Sequence, residues 1–342
     1  MRRIVLVLVA LAAIVTTARA DYPEETFLAR QDVTFTIPTP SSGSVPPVVG
    51  SLRLYRIRKG DTLMDVARLY GLGYNEIVDA NPGLDPWVPP AGATVLLPTQ
   101  WILPCCTYQG IVVNVPEMRL FYYTPAGPGQ TRVHTYPVGL GRDDWQTPSG
   151  TFRVIGKTVN PQWNIPEDIR VEHIRERGDD RTFIPGGDPD NPLGKYRLEL
   201  SMPMYRIHGT NIPWGVGMQV SHGCVRLYPE DIERLFPQVP VGTPGVFVYE
   251  TVKVGRRGGA VYVESHEDIY GKTPAIFSAA LNELSRRGVG GDVDREKLEV
   301  GLRDSGGVPF VVSGSDEDNP TRTSSACHDG AASTDGCQAR NG

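Results

Sequence analysis

Two short stretches of the sequence carry residues that could do chemistry. The first reads VSHGCVRL and contains Cys224, two positions after His222 and two before Arg226. The second is His208, sixteen residues before Cys224 and followed at once by a glycine. A thiol attacks a carbonyl only as its thiolate, and a nearby imidazole can take the proton. The pattern therefore favours a cysteine–histidine pair that acts on an acyl group.

Three other roles for Cys224 stay open at this point. It could form a disulfide, although the remaining cysteines flank the central part of the chain at a distance: Cys105, Cys106, Cys327 and Cys337. It could bind zinc with His208 and His222, although no Cys-x-x-Cys pair supports a zinc site. It could also be a small buried thiol. The nucleophile accounts for more of the surrounding residues than these alternatives do.

The neighbours of Cys224 suit nucleophilic catalysis. His208 would accept the thiol proton and later return it to the departing amine. Arg226 would project on the same side of a strand as Cys224 and bind a substrate carboxylate through two hydrogen bonds. A tight turn could aim backbone N–H groups at an oxyanion, and glycine permits such a turn. The residues assigned to this turn and oxyanion site are Ser221, His222, Gly223 and Gly209.

Short strands must position these residues. Thirty-eight glycines and 30 prolines punctuate the chain, and such a pattern predicts a sandwich or barrel. The strands are predicted at 111–115, 119–123, 132–140, 150–155, 196–200, 204–207 and 246–254. His208 ends one of them, and a turn-rich loop leads back to Cys224. A long polar stretch, Glu176 to Lys195, is typical of a functional lid or an insert.

The chain of 342 residues is long enough for two or three folded units. Residues 1–20 have a basic start, a short apolar run and an Ala-x-Ala site, which together predict a cleavable signal peptide and no membrane span. We therefore expect a soluble, exported protein. A net charge of −5 without a basic block argues against a nucleic-acid partner.

Residues 54–98 have the β-α-α-β order of a small module. Thr62 or Asp61 can cap a first helix that Gly71 ends, and a second helix is predicted from Tyr74 to Ala80. With RIRKGDTLMDVARLYG, NEIVDANPGLD and TVLLP, this segment resembles the LysM module. That resemblance implies binding to the N-acetylglucosamine-containing glycan of peptidoglycan.

The segment from about Gly110 to Glu250 resembles the L,D-transpeptidase (YkuD) catalytic domain. The motifs that carry the resemblance are His208 followed by SHGCVRL, together with GIVVNVPEMRLFYY and YPVGLGRDDWQTPSGTF. It implies a mainly β fold: a YkuD-type β-sandwich, a βααβ LysM module and a short α-helical C-terminal region. It also implies that a loop cradles the active site, a part that the stretch from Glu176 to Lys195 could play.

These resemblances predict the following division of the chain: signal peptide 1–20, extended segment 21–53, LysM module 54–98, linker 99–109, catalytic domain 110–250, C-terminal subdomain 251–312 and disordered tail 313–342. Helices are expected near 273–288 and 294–302. The overall arrangement is similar to that of periplasmic enzymes that anchor Braun-type outer-membrane lipoprotein to peptidoglycan, and of their relatives that form 3→3 cross-links.

The implied reaction releases D-alanine from a tetrapeptide stem and leaves a thioester on Cys224, with no metal or cofactor. An amine then takes the acyl group, either the C-terminal lysine of a lipoprotein or the diaminopimelate of another stem. A hydrolase of the same fold, an L,D-carboxypeptidase or a lipoprotein–peptidoglycan amidase, would use water instead. A cell-wall-binding protein without catalysis is an alternative of another class.

Overall fold

The computed structural model describes residues 22–30, 32–41, 43–104, 108–273 and 275–313. The predicted signal peptide, the cysteines at positions 105, 106, 327 and 337, and residues 314–342 of the predicted tail lie outside these ranges. Within the described ranges, no helix is long and apolar enough to cross a bilayer.

The first part of the described chain contains the predicted β-α-α-β order. Thr62 caps the first of its two main helices, accepting a hydrogen bond from the N–H of Asp65, and Gly71 ends that helix in the left-handed conformation. The elements are α1 (Glu24–Leu28), β1 (Thr34–Pro38), β2 (Val48–Gly50), β3 (Arg53–Arg56), α2 (Leu63–Tyr70), α3 (Tyr74–Asp79), β4 (Thr94–Leu97) and β5 (Gln100–Ile102).

The central part is mostly β. Its elements are β6 (Gly110–Asn114), β7 (Arg119–Gly127), β8 (Gln130–Pro137), β9 (Leu140–Gly141), β10 (Gly150–Val159), β11 (Trp163–Asn164), α4 (Glu167–Arg177), β12 (Phe183–Ile184), β13 (Tyr196–Leu200), β14 (Arg206–His208), β15 (Gln219–Ser221), β16 (Val225–Arg226), α5 (Pro229–Gln238) and β17 (Pro244–Val248). Nine strands form one sheet in the order β1-β8-β7-β6-β17-β10-β13-β14-β16. Helix α5 packs against this sheet through Ile232 and Leu235.

A lid-like excursion leaves the sheet between β10 and β13. It contains the short pair β11–β12 and the helix α4, held by a small cluster of Ile165, Ile169 and Ile184. The predicted polar stretch from Glu176 to Lys195 is therefore only the second half of this excursion. Helix α4, which was not predicted, begins before that stretch and ends at its second residue, Arg177.

The C-terminal part contains both predicted helices and, in addition, a three-stranded sheet. The elements are β18 (Val252–Arg257), β19 (Ala260–Ser265), α6 (Ile276–Arg286), α7 (Arg295–Asp304) and β20 (Phe310–Val311), with the strands in the order β18-β19-β20. The strand predicted at 246–254 is in fact two strands, β17 and β18, which belong to different sheets. The helices and this sheet share one hydrophobic core.

The module with α2 and α3 shares a core with the large sheet. Side chains from both, among them Leu72, Ile77 and Phe121, form one buried cluster. A buried ion pair crosses the junction, with Arg119 Nη2 2.7 Å from Glu76 Oε2. The two parts are therefore packed as neighbours of one core.

Candidate active site

The pairing of β14 with β16 brings the predicted catalytic residues to one place. The two strands run parallel, with Ile207 opposite Val225 and His208 opposite Arg226. Alternate residues along a strand share a face. Cys224 immediately precedes β16, and continuing this alternation predicts that its side chain faces the same side as those of Arg226 and His208. Strand pairing thus joins residues that are sixteen positions apart in the sequence.

His208 is buried, and its ring has a defined tautomer. Its Nδ1 lies 2.7 Å from the carbonyl oxygen of Gly209, and a carbonyl can only accept. Nδ1 therefore carries the hydrogen, which leaves the lone pair of the neutral ring on Nε2. Burial, assisted by the positive charge of Arg226, lowers the pKa of His208 to about 3. The imidazole is consequently neutral at ordinary pH, with the lone pair of Nε2 free.

Cys224 is a free, half-buried cysteine whose thiol donates to the carbonyl oxygen of Met204 at 3.7 Å. Burial raises the pKa of this thiol, while the N–H and guanidinium of Arg206 and the charge of Arg226 oppose that rise. The thiol and the His208 ring are not hydrogen-bonded to each other. Both groups are thus neutral at rest, the one a thiol and the other an imidazole.

Arg206 is a site residue that the sequence reasoning missed. It lies at the start of β14, two residues before His208, and forms an ion pair with Glu199 at 3.1 Å. The sequence did contain a signal for this role. Arg206 is two residues from His208 in a predicted strand, and residues at that spacing share a face. Its charge favours the thiolate form of Cys224.

Ser221 and Gly223 shape the turn that carries Cys224. The Ser221 hydroxyl donates to the carbonyl oxygen of Cys224 at 2.6 Å and accepts from the N–H of Gly223 at 3.1 Å. Gly223 has a φ of +97°, and a Cβ there would lie 2.8 Å from the ring of Tyr205. Both the conformation and the space require glycine at this position.

The amide groups near the thiol differ in what they can offer a substrate. The N–H of Gly223 donates to Ser221, and the N–H of Gly209 donates to the carbonyl oxygen of Tyr196 at 3.1 Å. In the part of the chain that the structure describes, no acceptor takes the N–H of Cys224. Among the described residues, the N–H of Cys224 is therefore the one of these three groups that is free to donate to a substrate oxygen.

Arg226 presents a cation beside the thiol. Its main chain forms a bridge with Gly139, through hydrogen bonds of 2.8 and 2.9 Å. Its Nε is buried and has no hydrogen-bond partner among the described residues. A buried, unpaired guanidinium nitrogen is costly unless a ligand satisfies it. The arrangement fits an anionic group of a substrate.

The His222 ring is engaged by the lid. Its Nε2 lies 3.0 Å from Glu172 Oε2 on α4 and 3.0 Å from Arg142 Nη2, and Trp145 packs edge-on against it with 5.2 Å between ring centroids. None of these contacts was predicted. Arg142 and Trp145 lie within the quoted stretch YPVGLGRDDWQTPSGTF, but nothing in the sequence assigns them to His222, and Glu172 lies outside the quoted motifs. His222 therefore links the Cys224 turn to the lid.

Comparison with known proteins gives two family matches. The profile of the YkuD L,D-transpeptidase catalytic domain matches residues 108–254, and that of the LysM domain matches residues 55–98. Two Escherichia coli K12 proteins are each 36% identical: probable L,D-transpeptidase YcfS, aligned over 72% of this chain and 78% of its own length, and probable L,D-transpeptidase YbiS, over 80% and 90%. Probable L,D-transpeptidase ErfK/SrfK of Salmonella typhimurium is 35% identical over 81% of this chain and 90% of its own length.

Proposed function

Because the chain belongs to the YkuD family of L,D-transpeptidases, we propose that it acts on peptidoglycan tetrapeptide stems through a thioester on Cys224. The observation that supports this proposal is the β14–β16 pairing, in which His208 lies opposite Arg226 and β16 begins one residue after the free cysteine Cys224. The Nε of Arg226 has no partner among the described residues. A nucleophile and a base are the parts that acyl transfer from a peptide bond requires, and an anion-binding group can hold a carboxylate of the peptide.

In the first step, Cys224 gives its proton to Nε2 of His208 as the sulfur attacks the carbonyl between diaminopimelate and the terminal D-alanine. The N–H of Cys224 stabilises the oxyanion. The carbon–nitrogen bond then breaks, and the His208 imidazolium returns its proton to the departing D-alanine amine. The product is a thioester, and Arg226 holds a carboxylate of the stem through charge-assisted hydrogen bonds.

In the second step, an amine attacks the thioester and His208 takes the proton from that amine. The carbon–sulfur bond breaks, an amide forms, and the thiolate recovers a proton. The proposed acceptor is the C-terminal lysine of an outer-membrane lipoprotein or the diaminopimelate of a second stem. The LysM module would hold the glycan strand while this happens, and the predicted signal peptide would deliver the protein to the periplasm.

Intact-mass spectrometry tests the nucleophile. The wild-type protein, incubated with a disaccharide-tetrapeptide, is expected to gain the mass of that whole substrate minus D-alanine, and Cys224→Ala is expected to gain nothing because the attacking sulfur is gone. Cys224→Ala removes few atoms from a half-buried site, so its thermal transition provides the folding control. A normal adduct on Cys224→Ala would refute the assignment.

Product analysis of the same incubation identifies the acceptor. Conjugates with a lysine-terminated lipoprotein peptide, or cross-linked stem dimers, support transfer and name the amine. Tripeptide alone, with both acceptors present, would mean that water resolves the thioester and that the protein is a hydrolase.

A further inference from the structure

The lid helix α4 is held mainly by charge to one wall of the candidate active site. This wall is formed by Gly141, Arg142, His222 and Gly223. Its one buried residue, Ile169, packs within the lid's own small cluster, while Val171 and Ile174 are exposed. Among the described residues, the polar contacts from α4 to the wall converge on one side chain, Glu172. Helix α4 therefore has little apolar attachment of its own beside the active site.

The Glu172 carboxylate bridges two residues of the wall. Its Oε1 accepts from Arg142 Nη1 at 3.0 Å, and its Oε2 lies 3.0 Å from Nε2 of His222. An ionised carboxylate can only accept, so Nε2 of His222 must carry the hydrogen in this arrangement. Hydrogen bonds from Arg142 and His222 lower the pKa of Glu172 to about 2, and the carboxylate stays ionised throughout the neutral range.

Both partners of Glu172 are tied to the turn that carries the nucleophile. His222 is covalently joined to Gly223, and Arg142 follows Gly141, which lies so close to this turn that a Cβ added to Gly141 would be 3.0 Å from the Cα of Gly223. The hydroxyl of Thr147 closes the same wall, donating to the Gly223 carbonyl at 3.0 Å and accepting from the Gly141 N–H at 3.1 Å. By contacting His222 and Arg142, Glu172 therefore fixes the position of the chain on both sides of the turn.

We propose that Glu172 is a positioning residue that latches the lid to His222 and Arg142, so that closing the lid and aligning the Cys224 turn are one event. The catalytic consequence rests on the proposed function, whereas the latch itself is a property of the fold. Substrate enters with the latch open, and the latch closes before the thiol attacks. Glu172 touches no reacting atom.

Trypsin cleavage tests the latch without any substrate. Arg175 and Arg177 lie on α4 with exposed side chains, and proteolysis requires local opening of a helix. Glu172→Ala is expected to speed cleavage at these arginines at least about fivefold, with Glu172→Gln in between because its amide oxygen still accepts one hydrogen bond. Glu167→Gln is the matched control, since Glu167 is an exposed carboxylate of the same helix that pairs only locally with Arg170.

Steady-state release of D-alanine tests the positioning. Glu172→Ala is expected to lower kcat about tenfold or more with a small change in KM, because alignment follows binding, and Glu172→Gln is expected to recover part of that loss. Unchanged trypsin cleavage in Glu172→Ala would overturn the latch. Faster cleavage with wild-type kcat and KM would overturn the positioning role. If the wild-type protein released no D-alanine, the proposed function would fail while the trypsin result still decided the latch.

Discussion

At Cys224, burial and the two nearby arginines act on the thiol in opposite directions. Burial favours the neutral thiol, whereas the charges of Arg206 and Arg226 favour the thiolate, and the net effect is a raised pKa. The neighbouring His208 has its pKa lowered to about 3, so it carries no charge that could pair with a thiolate. In the proposed mechanism, proton transfer from sulfur to Nε2 is therefore expected to accompany attack on the substrate.

The rate at which iodoacetamide alkylates Cys224 should report this neutral pair. Because the pKa of the thiol is raised, the thiolate fraction and the rate are expected to rise about tenfold per pH unit between about pH 6 and pH 8, without a plateau. His208→Gln should leave this profile unchanged and yet slow thioester formation by about a hundredfold or more, since the general base is lost.

A plateau in the wild-type alkylation rate below about pH 7 would contradict the prediction, because it would reveal a preformed thiolate–imidazolium pair. The alkylated residue is identified by peptide mapping, and Cys224→Ala supplies the background rate.

At the scale of elements, local signals in the sequence determined what could be predicted. Helix α2 was predicted because Thr62, an apolar stripe and Gly71 mark its start, face and end. Helix α4 has no comparable stripe, since Val171 and Ile174 are exposed and only Ile169 is buried. Its position depends on contacts with Arg142 and His222, and no local pattern encodes those contacts.

The same distinction applies to the site. His208 and Cys224 were predicted because their types, spacing and glycine neighbours form a motif, and β14–β16 pairing explains why that spacing works. Glu172 and Arg142 could not be predicted, because their role exists only once the lid lies against the wall. Residues that act through tertiary contact alone leave no periodic or spaced signal in a single sequence.

The turn before β16 offers a test at this scale. Gly223→Ala is expected to destabilise the protein by more than the roughly 1–2 kcal/mol that a left-handed alanine costs, because its Cβ would also meet the Tyr205 ring at 2.8 Å. Gly242→Ala is the matched control, with a φ of +93° and nothing within 4 Å of its Cβ. Urea unfolding measures both free energies.

Thioester formation should separate the two variants further. Gly223→Ala should lose most of its rate because the turn shifts Cys224, whereas Gly242→Ala should keep the wild-type rate. Equal stabilities and equal rates in the two variants would show that the contact with Tyr205 places no constraint on the turn.

For the molecule as a whole, charged groups buried between modules determine whether it unfolds in one step. At the junction of the C-terminal sheet with the rest of the chain, Lys253 Nζ lies 2.8 Å from Glu117 and 2.9 Å from Glu264, and all three side chains are buried. Removing one charge from such a buried cluster leaves another charge without a partner. The free-energy cost of that removal is far larger than the net contribution of the intact cluster to stability. Separation of the modules would break the Lys253–Glu117 pair across this junction, so the C-terminal sheet and its neighbours are expected to separate only in a step that disrupts this buried cluster.

Glu76 provides the sharpest test of that cooperativity. Its carboxylate accepts from Nε and Nη2 of Arg119 at 2.9 and 2.7 Å and from Trp101 Nε1 at 2.9 Å, across the junction between α3 and the large sheet. Glu76→Ala should cost about 3–5 kcal/mol, because it removes the carboxylate that neutralises a fully buried guanidinium. Glu233→Ala, which breaks an exposed pair with Lys195, should cost at most about 1 kcal/mol.

Urea unfolding followed by tryptophan fluorescence and by far-UV circular dichroism measures these losses. The two probes should give coincident single transitions in the wild type and in Glu76→Ala, with only the midpoint lowered, because the LysM module and the large sheet share one core. A separate early transition confined to Glu76→Ala would mean that the LysM module unfolds alone once its ion pair is broken. The shared core would then contribute less to holding the modules together than the Glu76–Arg119 pair does.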